Sequence, residues 1–142
     1  MVSTKATFDT SELEAVIHKF DDRVRAIPMS LLAAPFVTAV DDEIQTEGRG
    51  QWPPFSPVTF KIHPHRQGGK LLQDKGILAN IQVDTDESAG TAVIFSPASY
   101  AWKHADGYKS GNERIPQRDY LNIPMDSTTE QAAVLVVQEI VR

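Results

Sequence analysis

Leu13, Val16, Ile17, Phe20, Val24 and Ile27 recur at helical spacing, with Glu12, Glu14, Lys19, Asp22 and Arg23 on the other face. The pattern predicts an amphipathic helix from about Ser11. Ser11 and Glu14 have the capping-box form, in which a hydroxyl and a carboxylate satisfy orphan amides at a helix start, and Pro28 ends the run. A second helical pattern extends from about Ser30 through Phe36, Val37, Val40 and Ile44, with Pro35 expected to bend or delay its first turn. The two helices are expected to form an antiparallel or angled hairpin.

After Gly48 and Gly50 the period breaks at "EGRGQWPPFSPVTFK", where Trp52, Phe55 and Phe60 stand among three prolines. Ser56 followed by Pro57 predicts a short helix, since proline at the first helical position loses no needed amide. "LLQDKGILANI" reads as a further short helix or turn. From Ile81 to Phe95 apolar and polar residues alternate around "DTDESAG", which predicts a β-hairpin. A short helix is expected from Tyr100 to His104, then a glycine-rich loop, then a third short strand in "RIPQRDYLNI", with Pro116 at its start or on an edge. Ser127 and Glu130 suggest a second capping box ahead of "QAAVLVVQEIVR". That segment is apolar nearly all round, which predicts a helix buried on more than one side, by a sheet or by a neighbouring subunit. The order implies an α+β fold, with N-terminal helices and a buried C-terminal helix on a small antiparallel β-sheet.

Length and composition narrow the class. One domain over residues 1–142 is the simplest reading, and a chain of this size buries roughly 70% of its unfolded surface. There are no cysteines, so disulfides and thiolate chemistry are excluded. The first residues lack a basic head and apolar run, and no 18-residue apolar stretch occurs, which implies a soluble, unexported protein without membrane contact. Fourteen Lys and Arg against nineteen Asp and Glu give a formal charge of −5. That balance argues against sequence-independent DNA binding. The local exception is "KIHPHRQGGK", with Lys61, His63, His65, Arg66 and Lys70, which reads as a solvated loop or an anion site.

Candidate chemistry is sparse. A metal would find its best ligands in His63, His65, His104 and Asp106, provided the H-x-H pair lies on one extended face. No G-x-S-x-G elbow or phosphate-binding glycine loop is present. No cofactor is expected, and no catalytic residue is assigned.

Four segments in order carry a resemblance: "EGRGQWPPFSPVTFK", "LLQDKGIL", "YAWKHADG" and "IPQRDYLNI". Together they resemble the virion morphogenesis, or tail completion, family of Mu-like tailed phages and related prophages. Trp52, Pro54, Ser56 and Thr59 fit the first motif of that family, with Phe55 where leucine is usual. Leu71, Leu72, Gly76 and Leu78 fit the second. Tyr100, Ala101, His104 and Gly107 fit the third, with Asp106 where an aromatic is common. Ile115, Pro116, Arg118, Tyr120 and Leu121 fit the fourth, with tyrosine for phenylalanine and Asn122 where glycine is frequent.

The resemblance implies a non-enzymatic structural protein of the virion. It would sit at the head-to-tail junction or upper tail and assemble in the host cytoplasm. Its partners would be further copies of itself in a ring, by tail symmetry a hexamer, and the adjacent neck, connector or tail-tube proteins. DNA would pass through the lumen without specific binding. A closing ring needs two different patches on each subunit, and interfaces favour aromatic and arginine anchors. Trp52, Trp102, Tyr108, Arg118 and Tyr120 are the interface candidates, the alternative being core packing for the aromatics and an internal hydrogen-bonded role for Arg118. "DTDESAG" is a candidate lumen or rim segment, the alternative being a solvated hairpin tip. The alternative function is a small metal-dependent hydrolase using His63, His65 and His104.

Overall fold

The computed structural model describes residues 11–142. Helix α1 spans Ser11–Arg25 and helix α2 Met29–Gln45. Only three residues separate them, and the helix pair is bent by 56° at that break. The chain therefore turns a corner at Pro28 and does not double back, because three residues ending in proline are too few and too stiff to reverse direction here. The apolar stripe of α1 is left uncovered by α2: Val16, Ile17 and Phe20 are 64%, 55% and 53% exposed. α1 instead meets the end of the last helix, where Arg23 Nη1 donates to the Ile140 carbonyl at 2.7 Å. α2 runs through Pro35, which is buried within it and does not delay its start.

α2 is the centre of the fold. It packs against helix α5, Met125–Ile140, and against the hairpin of strands β1, Gln82–Asp86, and β2, Thr91–Phe95. Val40 and Ile44 of α2 are 2% and 1% exposed and join Leu78, Ala98, Ala101 and Tyr120 in the core. The β1–β2 register pairs Val83 with Ile94 and Thr85 with Ala92, so these four share one face. Glu87 in the turn reaches back to α2, its carboxylate accepting from the Met29 amide at 3.0 Å. An acid on the first free amides of a helix stabilises it through both the hydrogen bond and the helix dipole. Asp86 accepts from the Ser88 hydroxyl and the Ala89 amide. Two of the three acids in "DTDESAG" thus have local structural partners, and the turn is shorter than expected because its first three residues belong to β1.

Helix α3, Pro57–Ile62, starts as the sequence predicts, with Ser56 Oγ accepting from the Val58 amide and Pro57 at the first position. "LLQDKGILANI" is turns only. Helix α4 spans Ala101–Asp106. The expected glycine-rich loop and third strand are instead a second hairpin, β3 Tyr108–Ser110 with β4 Glu113–Ile115, closed by Gly111 and Asn112. β4 stops before Pro116, which has no amide to continue the ladder. The fold is α+β, with five helices and two separate two-stranded antiparallel sheets among the described residues.

α5 corrects two expectations. It begins two residues before Ser127, and the Ser127 and Thr128 hydroxyls donate to the Pro124 carbonyl in place of a capping box. Among the described residues its large neighbour is α2, and neither sheet packs on a second side. Val134, Val137 and the following Val141 are 54%, 59% and 75% exposed.

Candidate functional site

The chain leaves α2 through four consecutive residues with positive φ, Glu47, Gly48, Arg49 and Gly50. Gly48 is required there on two counts. Its φ is +66°, and an added Cβ would lie 2.3 Å from the Trp52 indole, which covers it. The left-handed turn is tied down on both sides: Arg49 Nε pairs with the buried Glu43 carboxylate at 3.2 Å, and Glu47 Oε1 accepts from the Leu71 amide at 3.0 Å. The last carbonyls of α2 are met by Lys70 and Gln73, whose side chains donate to Gln45 and Ile44. The "EGRGQWPPFSPVTFK" corner is thereby joined to the second motif.

Arg118 joins the corner to the rest. Its Nε donates to the Pro53 carbonyl at 2.9 Å and its Nη2 to the Pro54 carbonyl at 3.1 Å. Its own amide donates to the His104 carbonyl at 2.7 Å. The side chain bridges two carbonyls that a proline-rich corner would otherwise leave without donors. Arg118 is 5% exposed, and no carboxylate of the described residues lies within ion-pair distance. Burial lowers its affinity for its proton, and Glu47 offsets this from farther away.

These connections border an open cleft of about 410 Å³, lined by Phe55, Thr59, His63 and Arg66 on one side. Leu72, Asp74, Lys75, Gly76, Ile77 and Leu78 form a second wall, and Tyr100, His104, Ile115 and Arg118 complete it. All four resembling segments contribute: Thr59 from the first, Leu72, Gly76 and Leu78 from the second, Tyr100 and His104 from the third, Ile115 and Arg118 from the fourth. The site could not be found by reading motifs singly, because the Arg118 bonds that gather them span 64 and 65 residues.

Arg66 is the second buried cation here. Its guanidinium carbon stands 4.8 Å from the Phe55 ring centre, Nη2 donates to the Lys70 carbonyl at 2.7 Å, and Nη1 lies 3.5 Å from Asp74. The basic run is therefore folded around one arginine, and is not a uniformly solvated loop. His104 is packed edge-on to Tyr100, and its Nδ1 is buried without a hydrogen-bond partner among the described residues. Burial, then Arg118, then Lys103 push its pKa below 6.5, so the ring is held neutral at physiological pH.

The metal set is not assembled. Pro64–Arg66 is a 3₁₀ turn, so His63 and His65 do not share an extended face. The His63 and His65 rings stand 5.8 Å apart, edge to face, and His65 Nε2 faces Asp74 at 3.1 Å, while His104 lines the cavity without joining them. No group of three or more His, Asp or Glu side chains among the described residues is placed to hold an ion.

The interface candidates divide. Arg118 and Tyr120 are interior, Tyr120 being 4% exposed within the core, and this removes both as surface anchors of the lone chain. Trp52 is half-buried against that core. Trp102, 52% exposed, stands perpendicular to Tyr108 at 5.6 Å, and Lys103 Nζ lies 4.1 Å from the Tyr108 ring centre. Missed at the sequence level was the outward stripe of α1, whose apolar periodicity reads the same whether it faces a core or a partner. No family model, curated protein or solved structure matches this chain.

Proposed function

We propose that this chain is a structural protein of the head-to-tail junction or upper tail of a tailed phage, a tail completion, terminator or neck component that assembles without catalysis as a ring around the DNA path. The observation that carries the reading is the pair of apolar helix faces left open, Val16, Ile17 and Phe20 on α1 and Val134, Val137 and Val141 beyond the α2 contact of α5. Each face lines up apolar side chains that are more than half exposed, the kind of surface that marks an interaction site where it is contiguous. A stable ring contact would extend these faces with their polar flanks to roughly 1,600 Å² of total buried surface. Two different faces are also what a closed ring requires, one meeting the other on the next copy. The order of the four segments resembling the virion morphogenesis family supports the same reading.

Net charge fits a conduit. Six copies at −5 carry −30, and an acidic lumen lets DNA pass without counterion-release binding. Electron microscopy of virions with this protein tagged, alongside virions made without it, tests the proposal. Ring-shaped density at the head-to-tail junction, and unjoined heads and tails when the protein is missing, are expected. Absence of the protein from purified particles, or a lumen lined mainly by Lys and Arg, would contradict it.

A further inference from the structure

We propose that the cavity beside Arg118 is a binding site for a carboxylate carried on a small apolar or aromatic group. Three cations face it, Arg66, Lys75 and Arg118, against the single carboxylate of Asp74. That carboxylate is already engaged, by Arg66 at 3.5 Å and His65 at 3.1 Å. A local excess of positive charge thus sits in a chain whose formal charge is −5. Buried charges in proteins are ordinarily paired, yet Arg118 at 5% exposed is hydrogen-bonded among the described residues to the two proline carbonyls, on Nε and Nη2, with Glu47 acting on it from beyond ion-pair distance. Its third nitrogen, Nη1, makes no hydrogen bond with the described residues and is the donor left for a ligand.

The rest of the lining decides the class of anion. Phe55, Leu72, Leu78, Tyr100 and Ile115 give the cavity apolar walls, which suit a hydrocarbon body. A phosphate dianion calls for several convergent donors, such as a nest of backbone amides, and one guanidinium nitrogen with one flexible lysine does not supply them. A volume of about 410 Å³ is at the small end of ligand sites, sized for a single aromatic or branched side chain bearing its acid. A free small carboxylate and the C-terminal carboxylate of a polypeptide ending in an apolar residue share this chemistry.

The test is titration of the full-length, isotope-labelled chain, followed by NMR at the Arg118 side chain and the Ile115 and Leu78 methyls. Sodium benzoate is the first probe and benzyl alcohol its uncharged counterpart. Benzoate is expected to give saturable shifts at these groups with a Kd of about 1 mM, and benzyl alcohol at least about tenfold weaker binding, the loss of one charge-assisted hydrogen bond. Lys75→Glu, at an exposed position that leaves the Arg118 bonds in place, is expected to weaken benzoate several-fold. An acetylated Phe-Phe dipeptide with a free carboxylate, compared with its amide, separates the sources. Tighter binding than benzoate, lost on amidation, assigns the site to a polypeptide end, and equal or weaker binding to a free small acid. Absence of saturable benzoate shifts at about 20 mM, equal binding of benzyl alcohol, or unchanged affinity in Lys75→Glu overturns the proposal.

Discussion

Around Arg118, charged side chains lie inside the protein: Arg118, Arg66 and Glu43 are 5%, 8% and 5% exposed. On α1 and the outer face of α5 the reverse holds, and valine, isoleucine and phenylalanine stand more than half exposed. The first region is closed by its own bonds, with nearly every buried polar group meeting a carbonyl, a carboxylate or a ring. The second has no partner among the described residues. A buried polar network is stabilising only when its members are satisfied, whereas an apolar face is stabilising only when something covers it. The Arg118 network therefore belongs to the folding of one subunit, and the open faces to the proposed assembly of several.

The largest effect that would break this division is expected at Arg118. Arg118→Met keeps the bulk and removes both donors to the proline carbonyls, at a cost of about 3 to 4 kcal/mol. Urea unfolding measures it, and a loss below about 1 kcal/mol would mean that the corner holds without its arginine. Gly48→Ala is next, at about 2 to 3 kcal/mol, since alanine must take a positive φ and displace the Trp52 indole. The same unfolding midpoints check it, with Gly50→Ala as a comparison, where no atom lies within 4 Å of the added methyl.

A smaller effect is expected from acid. His104 in the folded chain has its pKa below 6.5, mainly from burial, so between the two values the unfolded state binds more protons than the folded one. The stability His104 contributes is fully present above about pH 6.5 and is lost as pH falls through that window. Unfolding midpoints between pH 7.5 and pH 5 should fall in the wild type and fall less in His104→Asn. Equal slopes would show that the ring titrates freely.

Much of the fold follows from local signals. The Ser56-Pro57 start of α3, the β1–β2 hairpin and the period of α2 are properties of neighbouring residues, and the structure has them where the pattern puts them. The second hairpin was missed because Gly107, Gly111 and Pro116 read as loop punctuation, although Gly-Asn between short runs is itself a two-residue hairpin signal. α1 and α5 show the limit from the other side. Their periodicity specifies an apolar face but not its neighbour, so a bend of 56° at Pro28 stands where an antiparallel or angled hairpin was expected and leaves α1 an open limb. The cavity was illegible for a related reason. Arg118 and Tyr120 are residue types equally suited to a core and an interface, and only their contacts with Pro53, Pro54 and the α2 core decide between them.

The smallest expected change in subunit stability comes with the largest consequence for assembly. Phe20→Ser removes an exposed ring and should alter the unfolding free energy by less than about 0.5 kcal/mol. Native mass spectrometry of the wild type and of this variant over a range of concentrations tests the central claim most directly. The account predicts closed multimers, with six copies the expected number, for the wild type, and monomers that fold normally for Phe20→Ser. A wild type that stays monomeric throughout, or a variant that forms the same multimers, would contradict it.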